Sequence, residues 1–320
     1  MRILGMTCRV AASINIALFG CARDGTGPVP RPVATAHIYV SDDNRLVRMS
    51  DMLGSDWTAL GTQSTDPKLF DSPTGIFVDE LGRIYVADFH NNRIVRVDDM
   101  TGANWTTVGT AGTGARQFNN PIGVSVDAAG KIYVADAGNN RVVRMDDMKG
   151  HNWTSYGALG EGVGKFDYPN GIFVDDAKRV YIADGRNDRI VRIDDMNGLN
   201  WTAVGSSSFS GGPEFSAPGA IFVDRDGKIY IADVFHARIV RMDDFSDRHM
   251  TSCCGFQSDS LHFGRTLGVF VDSLKQIYVT DPDNHRIVRM ADMTGAGWIT
   301  LGTQGPGAGE FDTPYGIFVR

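Results

Sequence analysis

Twelve side chains able to contact a ligand stand where a recurring phrase of this chain changes from copy to copy. They are Phe89, His90, Asn119, Asn120, Tyr168, Asn170, Arg186, Phe235, His236, Arg265, His285 and Tyr315. Their types suit recognition. Aromatic faces stack, amides form paired hydrogen bonds, a guanidinium takes anions, and imidazoles move protons or bind metals. They do not form a ready catalytic set. No Ser-His-Asp order, paired carboxylate or phosphate-cradling loop stands out. No His/Cys spacing of the metal-site kind appears either. The expectation is a ligand face without a cofactor, a metal in a central channel being the alternative that the histidines leave open.

A second group of chemistry-bearing residues recurs six times. Aspartates 42, 88, 136, 184, 233 and 281 are each followed, after a short polar turn, by arginines 45, 93, 141, 189, 238 and 286. Six equal copies read as a turn with its own ion pair rather than as a ligand ring. The second arginine of each copy, Arg96 for example, is expected to lay its stem between units and reach an aspartate of the next turn, such as Asp98 or Asp99. Tryptophans 57, 105, 153, 201 and 298, placed on the outer strand d, read as blade packing, with an aromatic sugar-binding shelf as the alternative. Cys253 and Cys254 are adjacent. A vicinal disulfide, a buried reduced pair and an intermolecular bond are all open to them.

These residues hang on a repeat. Its core is Ile-Tyr-Val-Ala-Asp, a polar turn, then Arg-Ile-Val-Arg. The tyrosines at 39, 85, 133, 181, 230 and 278 are 46, 48, 48, 49 and 48 residues apart. A fixed period in this range signals a repeat architecture. Each copy parses into four short strands, a to d, rich in Val, Ile, Tyr and Phe and separated by Gly, Asn and Asp turns. Four antiparallel strands repeated radially make a β-propeller. The chain begins its repeats on strand b at Ile38 and stops on strand a at residues 316–319. The last strand can therefore complete the first blade. The expectation is an all-β, six-bladed propeller over 37–320, closed by its own C-terminal strand and complete.

Alternation places the d–a loops and b–c turns on one face of the disc, where the unrepeated residues gather. The residue before each strand-a glycine (Thr74, Ile122, Asn170, Gly219, Leu267, Tyr315) is expected near the channel mouth.

The first twenty residues read differently. Arg2 and Arg9 precede an apolar run from Val10 to Phe19, a secretory signal in length and flanks. The run ends Leu18-Phe19-Gly20-Cys21, which resembles a bacterial lipobox with Cys21 as the lipidated residue. Residues 21–36 read as a flexible tether. Net charge is −7, and loss of Arg2 and Arg9 with residues 1–20 makes it −7 − 2 = −9. That charge, with secretion, argues against nucleic acid as a partner. The expected location is the bacterial cell envelope, periplasmic or surface-exposed, with Ala22 after Cys21 favouring the outer membrane. No apolar stretch is long enough for an ordinary membrane span.

The segment Pro121-Ile122-Gly123-Val124-Ser125-Val126-Asp127 through Arg141-Val142 resembles the NHL repeat nearly throughout. The resemblance covers 37–320 and implies the propeller fold. Its function is not implied, because this scaffold hosts many. Some similar propellers are amidating lyases that hold zinc with histidines before the strand-a glycine. Those six positions hold no histidine here. Gluconolactonase-like relatives use a Glu/Asn/Asp channel site, of which only Asn170 has a counterpart. The expected function is a non-catalytic, surface-anchored binding or sensor module that presents one face to a peptide, protein or glycan. A metal-dependent lyase or hydrolase is the alternative.

Overall fold

The computed structural model describes residues 36–61, 70–205, 214–245, 250–255 and 261–320. The signal segment, Cys21 and the tether through residue 35 lie outside the described residues.

The described residues form six four-stranded antiparallel sheets arranged as the blades of a propeller. Blade II shows the pattern: strand a Pro73–Val78, b Ile84–Asp88, c Arg93–Val97 and d Thr106–Val108. Blades III to VI follow in order, with their a strands at Pro121–Val126, Pro169–Val174, Pro218–Val223 and Val269–Val271. Blade I takes strand a from the other end of the chain. Pro314–Val319 pairs with Ile38–Asp42, which pairs with Arg45–Met49 and then Thr58–Leu60. The expected closure is therefore observed, and His37 and Arg320 extend it through paired backbone hydrogen bonds.

Strand b is buried along its whole length, as its apolar run requires. Each gap between blades holds one apolar cluster. Between blades II and III, Tyr85, Ile94 and Val108 meet Val124, Val134 and Phe118. Phe118, Phe166 and Phe311 are fully buried, each worth about 1.5–3 kcal/mol. Trp105, Trp153, Trp201, Trp298 and Trp57 each lie 4.9–5.4 Å, centroid to centroid, from such a phenylalanine. They sit just before strand d rather than on it, so their role is to cover the inter-blade core. In blade V, Met250 takes this place.

The inner strands approach very closely. A Cβ on Gly75 would lie 2.5 Å from the Ile122 carbonyl oxygen, and one on Gly316 would meet the Thr74 oxygen. Glycine is needed here for space rather than for backbone freedom.

Candidate functional site

The repeated Asp-Arg pairs staple the loops. Asp88, Asp136 and Asp184 are fully buried, and Arg93, Arg141 and Arg189 place Nε 2.7–2.8 Å from their Oδ2. The other carboxylate oxygen accepts the backbone amide of Asp71, Asn119 or Asp167, at the end of the incoming d–a loop. Arg141 and Arg189 then reach carbonyls of that loop at Gln117 and Lys165. Burial raises the carboxyl pKa of Asp42, Asp88, Asp136 and Asp184 although arginine, amides and asparagine oppose it. These charges are consumed by structure. The second arginines approach the expected aspartates more loosely, Arg96 to Asp98 at 3.6 Å and Arg192 to Asp194 at 3.8 Å.

The unrepeated chemistry centres on the channel mouth. The b–c turns of blades II to VI hold four residues, whereas blade I turns in two, Asp43 and Asn44. The short turn leaves a notch beside the channel. A cavity of ≈ 340 Å³ opens there, lined by Asp43, Ser72, Pro73, Thr74, Phe89, His90, Ile122, Tyr168, Asn170, Thr313 and Tyr315. Asp43 occupies the left-handed region at φ 45°, which a short Asx residue tolerates. His90 lies against Phe89 at 4.7 Å and places Nδ1 3.0 Å from Asp71. Tyr168 carries the Arg186 guanidinium over its ring at 4.4 Å. The Asn170 amide donates to the Pro218 carbonyl across the blade boundary. Thr74 is buried and donates to the Ile122 carbonyl. Burial holds the phenols of Tyr168 and Tyr315 above their ordinary pKa, and the nearby Tyr168 adds to the shift at Tyr315.

Below the mouth, a channel cavity of ≈ 80 Å³ shares Ile122, Asn170 and Tyr315 with it. Phenylalanines 77, 318, 270, 222 and 173 line this channel as a horseshoe, with successive centroids 4.6–5.1 Å apart. The sixth position holds Ser125.

Of the twelve expected ligand-face residues, the structure brings five to the mouth: Phe89, His90, Tyr168, Asn170 and Tyr315. The other seven do not line it. Asn119 and Asn120 serve the loop staple through their backbone amides. Arg186 stacks on Tyr168. Phe235 is 60% exposed on blade V. His236 bonds Asp233, Arg265 clamps Asp283 at 2.7 Å, and His285 contacts the Asp312 carbonyl. The three histidines are thus engaged on blades II, V and VI separately. Among the described residues, no group of three or more His, Cys, Asp or Glu is arranged to hold a metal ion. Asp43, Ser72, Pro73 and Thr313 belong to the mouth without having been expected there. The two-residue shortening of the first period, from 48 to 46, was the available signal. Cys253 and Cys254 are bonded to each other as a vicinal disulfide at the outer strand of blade V.

The NHL repeat family model matches residues 70–97 and 118–145. No curated protein sequence matches the chain significantly. Solved structures similar to it include a nidogen/laminin complex, with 17% identity over 89% of this chain and 98% of that chain and a TM-score of 0.67. A streptogramin B lyase has 15% identity, 90% and 88% coverage, and a TM-score of 0.55. A catalytically inactive virginiamycin B lyase from Staphylococcus aureus with quinupristin has 14% identity, 82% and 83% coverage, and a TM-score of 0.54. At these identities the likeness is one of fold. The chain thus carries NHL repeats at residues 70–97 and 118–145, and its described residues fold as a six-bladed β-propeller.

Proposed function

We propose that the protein is a binding or sensor module that seats a peptide, protein or glycan ligand at the channel mouth. One observation carries this reading. Apart from Pro73, the ≈ 340 Å³ cavity is walled by residues that occur once among the six copies, while the repeated charges are taken up in stapling loops. A cavity of this size, with aromatic walls and a few polar groups, is the usual form of a small-ligand site. A nidogen/laminin complex among the similar folds is consistent with a role in binding. We place the module at a bacterial envelope, lipid-anchored through Cys21, on the strength of the lipobox resemblance alone.

Two of the similar folds are lyases, and a metal-dependent lyase or hydrolase is the competing reading. The separate engagement of His90, His236 and His285 supports binding over metal chemistry at this face. The test is a peptide and glycan array probed with wild type, a Phe89→Ala/Tyr168→Ala variant and a Phe235→Ala variant. Binding should be lost in the double variant and kept in Phe235→Ala. Equal binding by all three would reject the mouth as the ligand seat. Stoichiometric metal in the purified protein, together with cleavage of a bound ligand, would establish the lyase or hydrolase reading instead.

A further inference from the structure

The charge of the mouth narrows the ligand class. Its lining contains one carboxylate, Asp43, and three aromatic rings, Phe89, Tyr168 and Tyr315. It contains no lysine or arginine. Asp43 is exposed and accepts from the neighbouring Asn44 amide at 2.8 Å, and among the described residues no cation pairs with its carboxylate. A carboxylate beside aromatic faces is the chemistry that holds an organic cation, since ring faces and the anion attract the same charge. The Tyr168 ring already carries one cation, the Arg186 guanidinium, at 4.4 Å. An anionic ligand would meet Asp43 with no lysine or arginine of the lining to offset it. The chain's overall charge of −7 acts in the same sense on the encounter.

Resting on the reading of the mouth as a ligand seat, we propose that it takes an ammonium group carried on an apolar stem. The head sits between Asp43 and the Phe89 and Tyr315 rings. The stem points past Ile122 towards the apolar channel that the two cavities share as a boundary. His90 is the titratable base among the lining residues, and it is tied to Asp71 at 3.0 Å.

The test uses three probes with one stem and different heads: hexylammonium, 1-hexanol and hexanoate. Each is titrated against the full-length protein by ligand-observed NMR at pH 8. Hexylammonium should bind at least about tenfold more tightly than the other two. The Asp43→Asn variant should lose about tenfold for hexylammonium and nothing for hexanol. Asparagine accepts the same left-handed backbone, so that variant keeps the turn. Equal binding of hexanol and hexylammonium, preference for hexanoate, an unaffected Asp43→Asn, or no binding of any probe would overturn the assignment. Array ligands that are neutral or anionic, yet lost in the Phe89→Ala/Tyr168→Ala variant, would overturn the ammonium class and leave the mouth as the seat. Array binding unaffected by that variant would remove the seat itself.

Discussion

Ser41 and Gly316 stand 275 residues apart in sequence, yet the Gly316 amide donates to the Ser41 hydroxyl at 2.8 Å. The same hydroxyl donates to the Thr74 carbonyl. One buried oxygen therefore joins the first strand, the last strand and the neighbouring blade. Blade VI repeats the device, with Gly268 donating to Thr280 Oγ1 and Thr280 donating to the Tyr315 carbonyl. Blades II to V carry alanine at this strand-b position, at residues 87, 135, 183 and 232. The hydroxyls thus flank the seam between Ile38–Asp42 and Pro314–Val319, which no peptide bond closes. Ser41→Ala should cost about 1–3 kcal/mol by leaving a buried amide and carbonyl unpaired. Thermal denaturation should show a fall of several degrees. A midpoint within a degree of wild type would mean that the seam holds without this hydroxyl.

The inner-strand glycines make a sharper case for space over flexibility. At Gly75 a new Cβ would press on the backbone of blade III, 2.5 Å from the Ile122 oxygen and 2.9 Å from the Val124 nitrogen. Neither atom can rotate away. At Gly82, on the opposite face, nothing lies within 4 Å, but φ is +84°. Gly75→Ala should therefore cost more than about 3 kcal/mol, and Gly82→Ala about 1 kcal/mol from backbone strain. Urea titration of both variants checks the order. A Gly82→Ala variant less stable than Gly75→Ala would contradict the close-approach account.

Much of this architecture is legible in the residues. Tyrosine spacing marks the blades, and the phase of Ile38 and Phe318 at the two ends marks the closure. Asp88 and Arg93 read as a turn with an ion pair because they recur six times. The mouth is only half legible. Phe89 and Tyr168 differ between copies and do line it, but so do His236 and Arg265 differ, and these are held by partners on blades V and VI. Variation between copies reports that a position is free to change. It does not report distance from a cavity. The cavity itself arises from two residues that blade I lacks, and a reading of which side chains are present has no term for a missing pair. Asp43 passes unnoticed for the same reason.

Arg189 tests how the loop staple is balanced. It is 3% exposed, bonds Asp184 at 2.8 Å and reaches the Lys165 carbonyl at 2.8 Å. Arg189→Met leaves Asp184 buried without its cation, a loss of about 3–5 kcal/mol at neutral pH. The pH dependence has a definite sign. Burial already raises the Asp184 carboxyl above its ordinary value, and removal of arginine raises it further. A folded-state pKa above the unfolded one favours the protonated fold, so the contribution is full below the unfolded pKa and is lost as pH rises through the folded one. The gap between variant and wild type should therefore narrow on acidification from pH 7 towards pH 4. A gap that stays constant over that range would show that Asp184 is not the source of the cost.

The tyrosines of strand b should set the alkaline limit of the fold. Tyr133, Tyr181 and Tyr278 are 3–6% exposed, and burial lifts their phenols from 10.0 to about 12. The carboxylates of Asp127, Asp175 and Asp272 reinforce the shift, accepting from the three hydroxyls at 3.1–3.5 Å. Each folded pKa lies above the unfolded value, so the stabilisation is complete below pH 10 and is withdrawn as pH rises through 12. Two units correspond to about 2–3 kcal/mol for each tyrosine. Absorbance at the phenolate band should accordingly rise in a cooperative step that coincides with loss of the β-sheet circular dichroism signal. The Tyr133→Phe variant, which cannot ionise, should shift that step to higher pH. Gradual titration of all tyrosines near pH 10 with the sheet signal intact would show that these rings reach solvent in the folded propeller.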